Sequence, residues 1–318
     1  MTTTNENSAA IIVLPAVGGG RLRRGGLKRW LSRATLAKND DPTELLCDIL
    51  AYLKLPCPTQ GQGALRMWGQ TGDRPTVWIA AADPVSLEPR LDRVFLHALG
   101  AARASAPDLR PLFDHLQSKL EDDASIGFAR LGSCGYLRAD KPIATASEPA
   151  YVLNLQIPTE YMPSGDDAAS YRNLRSEIEM ALHDHEVNRR REEQGELAVN
   201  SLWLWGGGYA PEQETISLPP LFADDPLIKG YWFSKTGVVD SWPGTIASCI
   251  ELSDAGFVAV ASENSDSDLL EACLHEARAA LRSGRLSRLT LIFRDGIRAE
   301  VRRAHALRVW RRTSVFLN

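Results

Sequence analysis

The sequence contains little that would place it in a membrane or outside the cell. The apolar run near its start, "AAIIVLPAV", is far shorter than the ~20 residues a helical span requires. The opening "MTTTNENSAA" has no basic segment of the kind that precedes a secretory signal, so a chain that is not exported is expected. Cysteine is sparse: Cys47, Cys57, Cys134, Cys249 and Cys273 are scattered, odd in number and include no C-x-x-C pair. That usage argues for a reduced, cytoplasmic protein without a structural zinc site. An excess of one charge is also missing, since 36 basic and 40 acidic side chains leave a formal net charge of -4. No overall field therefore draws the chain to nucleic acid or to an anionic membrane. Fixed-period repeats and low-complexity tracts are absent too, which excludes a solenoid.

At 318 residues the chain is long enough for a large α/β domain, or for a core with an insertion. "AIIVLPAV", "VNSLWLW" and "GFVAVAS" are short apolar runs bounded by turn residues, the pattern of central strands in a parallel sheet. "DPTELLCDILAYLKL" places Leu45, Leu46, Ile49 and Leu53 on one helical face, whereas the glycines between Gly61 and Pro75 indicate loop. "TVWIAAADPVSL" reads as a strand that breaks at Asp83-Pro84. Beyond it, "RVFLHAL", "APDLRPLFDHLQSKLED", "SIGFARLG" and "YVLNLQI" suggest a βαββ unit of α+β type. One helix carrying Leu174, Ile178, Ala181, Leu182 and His185 should stop near Gly195. "SDSDLLEACLHEARAALRSG" is a capped helix, and "LTLIFRDGIRAEVRR" has the Asp-Gly of a hairpin. The expected division is an α/β core of residues 1–75 and 196–318, interrupted by an α+β lobe of residues 76–195.

The triplet Gly206, Gly207 and Gly208 follows an apolar strand, so it serves either as a structural turn or as a cradle for a ligand. It lacks the G-K-[ST] ending of a phosphate-binding loop. His183 and His185 are two apart and cannot form the i, i+4 pair of a helical metal site. Trp203, Trp205, Trp232 and Trp242 suit a tryptophan-rich core, with ring stacking on a ligand as the other reading. Arginines cluster from Arg278 to Arg312 with few acids, compatible with an anion or RNA surface.

The stretch "HDHEVNRRREEQGELAVNSLWLWGGGYAPE" resembles a hallmark of the RpfE-type regulatory protein family, itself similar to the archaeal-type cofactor-independent phosphoglycerate mutases. The matching positions are His185, Asn188, Arg191, Gly195, Asn200 and Gly206 to Gly208, with Glu186-Val187 departing from the usual Pro-Val or Pro-Ile. "AADPVSLEPRLDRVFL" and the segment from "LTLIFRDG" to "RVWRR" are similar to further parts of that family. The resemblance implies an alkaline-phosphatase-like fold, a mostly parallel sheet core with an inserted α+β cap domain. It also implies ligand-binding roles for Gly206, Gly207 and Gly208, bordering a cleft between core and cap, and for Asn188, Arg191 and Asn200, at or near the hinge.

Catalysis is not expected from the same comparison. Such enzymes carry an Asp metal ligand at the end of the first strand, where this chain has "VLPAVGGG", and His275 and His305 are the only histidines after the cap. The expectation is a catalytically degenerate regulatory or binding protein with no metal and no cofactor. Its partners would be a small anionic metabolite and another protein, not nucleic acid and not a membrane. The alternative is a phosphoryl-transfer or phosphate-ester hydrolase enzyme with a rearranged metal site built from Asp240, Glu263, Asp266 and His275.

Overall fold

The computed structural model describes residues 8–39, 43–100, 103–120, 125–165, 168–253, 256–262, 267–311 and 314. In chain order the first half comprises β1 (Ala9–Leu14), α1 (Gly25–Ser32), β2 (Thr35–Lys38), α2 (Leu45–Leu53), α3 (Gln62–Thr71), β3 (Trp78–Arg90), β4 (Arg93–Ala98), α4 (Ala106–Leu120), β5 (Ile126–Leu131) and β6 (Cys134–Ala139). The second half comprises α5 (Ala168–His183), α6 (Glu186–Glu193), β7 (Ser201–Gly208), β8 (Leu221–Phe222), α7 (Pro226–Ser234), β9 (Val239–Asp240), α8 (Ile246–Leu252), β10 (Gly256–Val260), α9 (Ser267–Ser283), β11 (Arg288–Phe293) and β12 (Ile297–Arg302). These elements fall into two compact units, one of residues 1–42, 213–225 and 232–318, the other of residues 43–212 and 226–231. Among the described residues no helix is long and apolar enough to cross a membrane.

The first unit is a mostly parallel α/β sheet in the order β2-β12-β11-β1-β10-β8-β9. β1 lies between β10 and β11 and is parallel to both, β8 continues the parallel run from β10 to β9, and β12 and β2 add an antiparallel edge. Apolar runs form these strands because both faces are covered: Ile12, Val13, Val258, Ala259, Leu289 and Leu291 are all buried. α9 supplies one cover, burying Leu270, Cys273, Leu274, Ala277 and Leu281 at helical spacing. Each fully buried Leu or Ile contributes roughly 1.5–3 kcal/mol relative to exposure. The hairpin expected at Asp295-Gly296 is present, with Gly296 at φ 85°, and α9 ends at Gly284 with φ 85°.

The second unit is built on an antiparallel sheet, β4-β3-β6-β5, with β7 paired to β3. β7 corrects the expectation that "VNSLWLW" neighbours β1 and β10. An all-apolar strand fits any sheet covered on both faces, and here Val199, Leu202 and Leu204 join a core with Leu109, Phe113, Tyr171 and Ile178. Residues 43–75 and 196–212 accordingly group with this unit rather than with the parallel sheet.

Four local expectations also change. β3 runs straight through Asp83-Pro84, because Pro84 falls where one edge of the strand changes partner, from β6 at residues 78–81 to β4 at residues 85–90. Residues 62–71 are helix rather than loop. "YVLNLQI" forms turns with a single bridge between Leu96 and Gln156, while "CGYLRA" supplies the strand β6. The helix expected through His185 is two helices, and His185 caps the second by accepting from Val187 N–H at 3.2 Å.

Candidate functional site

In an open parallel sheet the carboxyl ends of the strands are where ligands are usually bound. In the first unit those ends bring Pro15, Asp240, Ala261, Arg294 and Asp295 to one edge of the sheet. Pro15 follows β1 directly. Asp295 Oδ2 accepts from the N–H groups of Val17 and Gly18 at 2.9 and 2.7 Å, so this carboxylate fastens the loop that leaves β1. Arg294 Nη2 lies 3.4 Å from Ala261 O, and its Nε is buried without a partner among the described residues. A guanidinium thus lies at the ends of β10 and β11.

Asp240 and His275 are both exposed, one ending β9 and the other on α9; Glu263 and Asp266 lie outside the described residues. Among the described residues, the group of His, Cys, Asp and Glu side chains close enough to share a metal is Glu44, Cys47 and Cys57, which includes neither Asp240 nor His275.

The six residues expected to bind a ligand all lie in the second unit, where each has a structural partner. Asn188 is 2 % exposed. Its Nδ2 donates to Leu182 O and Val199 O, and its Oδ1 accepts from Val199 N–H, each at 2.9 Å. Arg191, 1 % exposed, donates from Nε to Leu197 O at 2.9 Å and from Nη2 to Arg103 O at 2.6 Å. Its Nη1 pairs with Asp108 at 3.2 Å and Glu196 at 3.1 Å. Asn200 copies a ladder pair, accepting from Leu87 N–H at 2.7 Å and donating to Leu87 O at 2.9 Å. Together these side chains hold the segment from α5 to β7 in place.

The glycine triplet forms a β-bulge. Between Trp205↔Ala81 and Gly208↔Ile79 the strand β7 carries one extra residue, and Gly206 sits there at φ 60°. A Cβ on Gly207 would lie 2.4 Å from the Trp78 ring, and one on Gly208 would lie 2.4 Å from Gly61 N. Gly207 N–H donates to Thr145 Oγ1 at 3.0 Å. These contacts account for glycine at both positions.

Sequence reasoning missed the polar centre of this unit. Arg66, on α3, pairs with Asp83 at 2.6 Å and donates to Gly135 O at 2.7 Å. Trp205 Nε1 donates to the other Asp83 oxygen at 2.6 Å, and the guanidinium lies over the Tyr136 and Trp205 rings at 4.9 and 5.4 Å. Burial works against the charge on Arg66, but Asp83 and Tyr136 outweigh it and its pKa is raised. Burial raises the Tyr136 pKa. The signal was present as Arg66 and Asp83, but it was obscured by the glycines around one and the proline beside the other.

The cysteines differ from expectation as well. Cys47, in the first turn of α2, is bonded to Cys57 with Cα atoms 5.0 Å apart, within the span of a disulfide. Cys134, Cys249 and Cys273 are free, and burial pushes the thiols of Cys249 and Cys273 up to about 12. The four tryptophans named from sequence are core residues: Trp203, Trp205 and Trp232 are fully buried and Trp242 is partly so.

The class these features define is a mixed α/β protein with a mostly parallel sheet in one unit and an antiparallel sheet in the other. By sequence the chain is distantly homologous to 2,3-bisphosphoglycerate-independent phosphoglycerate mutases. It is 27% identical over 137 residues to the probable enzyme of that name from Geobacter sulfurreducens, covering 40% of this chain and 32% of that one. It is 26% identical over 117 residues to the Methanosarcina acetivorans enzyme, covering 36% and 30% respectively. The chain therefore spans about a third of the length of these curated relatives. No protein-family model matches. Among solved structures, the cofactor-independent phosphoglycerate mutase of Thermoplasma acidophilum aligns with a TM-score of 0.43 at 17% identity, covering 93% of this chain and 90% of that one. A Pyrococcus horikoshii protein aligns with a TM-score of 0.48 at 14% identity, covering 90% and 81%.

Proposed function

We propose that this chain is a catalytically degenerate relative of the cofactor-independent phosphoglycerate mutases, acting by binding, as a regulator of RpfE type, rather than by turnover. The observation that carries the reading is the chemistry at the carboxyl edge of the parallel sheet. A two-metal phosphoryl-transfer centre requires carboxylates and imidazoles that clamp the attacking and leaving oxygens. Pro15 offers no donor, Arg294 brings a positive charge, and Asp295 Oδ2 already holds two N–H groups. Asp240, at the same edge, belongs to no group of side chains close enough to share a metal among the described residues, so the set does not fit such a centre. On this reading the parallel unit is the counterpart of the mutase core, and the antiparallel unit is an inserted cap.

The test uses the purified full chain, incubated with Mn²⁺, Mg²⁺ or Zn²⁺, desalted and examined for metal content and for interconversion of 2- and 3-phosphoglycerate. The expected result is substoichiometric metal and no turnover above a protein-free blank. Stoichiometric metal with turnover that a chelator abolishes would overturn the proposal.

A further inference from the structure

The arginines that stood out near the carboxyl end of the sequence converge on a cavity of about 540 Å³ within the first unit. α1 contributes Arg29 and, at its C-cap, Arg33. α9 contributes Arg278 and Arg282, one helical turn apart, and the end of β12 contributes Arg302 and Arg303. Trp30 and Leu281 form an apolar part of the wall. No carboxylate lines the cavity, and none of the six arginines has an ion-pair partner among the described residues. In a chain whose net charge is -4, six guanidinium groups left unneutralised around one concavity are not a product of overall composition.

Three of the six are positioned by backbone carbonyls. Arg33 Nη1 donates to Ala306 O at 3.0 Å, Arg303 Nε to Leu281 O at 2.9 Å, and Arg29 Nε to Gly25 O at 3.3 Å. The Arg303 bond also satisfies a carbonyl in the last turn of α9. The guanidinium groups of Arg278, Arg282 and Arg302 make no hydrogen bond among the described residues, so their planar donor forks face the cavity or solvent uncommitted. The local field is also felt by buried His305, held below the ordinary histidine range first by burial and then by Arg308 and Arg302.

We infer that this cavity binds a nucleotide carrying two or more phosphates. Guanidinium forks match phosphate oxygens two at a time, and this many of them suits a polyphosphate rather than a single phosphate. The apolar wall at Trp30 and Leu281 gives a planar base a surface on which to stack. The cavity volume falls within the range of small-molecule sites, and the arginines gather around one hollow instead of running as a stripe, which favours a nucleotide over an RNA strand. The inference goes beyond the proposed function and holds whether or not the chain retains catalysis.

The purified chain is titrated calorimetrically with ATP, GTP, pyrophosphate, adenosine and a 20-nucleotide RNA at low and high salt. Saturable binding of at least one nucleotide is expected, with pyrophosphate at least tenfold weaker, adenosine undetected, and a loss of at least tenfold at high salt because the contacts are ionic. R278Q/R282Q should lose at least tenfold in nucleotide affinity while melting no lower than wild type, since it relieves repulsion between like charges. R302Q, which breaks no hydrogen bond, carries the same expectation if the double variant does not fold. Wild-type protein that binds no nucleotide, or pyrophosphate binding as tightly as either nucleotide, would overturn the inference. So would RNA binding tighter than either nucleotide and weakened by the same substitutions, which would assign the surface to nucleic acid.

Discussion

Replacing Asn188 with alanine tests whether this side chain serves a ligand or the fold. The amide makes three hydrogen bonds of 2.9 Å, two to Val199 and one to Leu182, in a place where Val199 is 1 % exposed. Removing it orphans the Val199 N–H and C=O, while Leu182 O keeps a longer bond from His185 N–H at 3.3 Å. Each buried group left unpaired costs about 1–3 kcal/mol, so the two together should cost about 2–6 kcal/mol. Alanine recovers a few tenths of a kcal/mol through helix propensity. At roughly 2–4 °C per kcal/mol for a unit of this size, melting should fall by about 4–24 °C in a calorimetric scan. Asn188→Asp keeps the shape and the acceptor but turns a carboxylate toward two carbonyl oxygens, so it should be at least as damaging at neutral pH. A ligand-facing role requires the opposite pattern: Asn188→Ala melting within about 2 °C of wild type, below the smallest loss expected for two orphaned groups, would refute the reasoning.

Gly69→Ala or Gly230→Ala should destabilise strongly, by more than about 3 kcal/mol in urea denaturation, because each Cβ would lie 1.8 Å from a backbone oxygen where α3 meets α7. Asp108 should make stability pH-dependent. Burial opposes its ionisation, but Ser105, Arg190 and Arg191 outweigh this and hold its folded pKa below the unfolded value. The stabilisation is thus present above the unfolded carboxylate pKa and disappears as pH falls through the lower folded one; Asp108→Asn should flatten that acid limb in melts taken across it. Thiol titration of unreduced, denatured protein should count three reactive cysteines, rising to five after reduction.

Much of the parallel unit was legible because its signals are local. β1 and β10 are short apolar runs between turn residues, Asp295-Gly296 marks the hairpin, and α9 has an apolar stripe and a terminal glycine. The antiparallel unit was harder because its decisive facts are contacts between distant segments. Four glycines between Gly61 and Gly72 read as loop, yet Gly61 and Gly72 bound a helix with φ of 75° and 82°. Gly63 and Gly69 lie inside that helix, where the backbones of β3 and α7 leave no room for a Cβ. Pro84 is tolerated only because a strand edge changes partner there, which no neighbouring residue reveals. Asn188, Arg191 and Asn200 could be singled out as polar residues beside an apolar strand. Whether they face a ligand or the chain's own carbonyls depends on Val199, Leu197 and Leu87, whose positions are set by folding.

The position of β1 between β10 and β11 also constrains how the polypeptide is made. Both of its neighbours are encoded roughly 250 residues later, so at ribosomal speeds of about 5–20 residues per second this strand waits about 12–50 s for its first partner. Residues 43–212 form almost all of the other unit and emerge well before β10, so that sheet can close while β1 is still alone. In the interval a run of consecutive apolar residues with two open hydrogen-bonding edges is exposed to every other nascent chain, the circumstance in which strands pair wrongly. A chaperone that shields the newly made amino-terminal segment would therefore raise the yield of folded protein more than one acting after release.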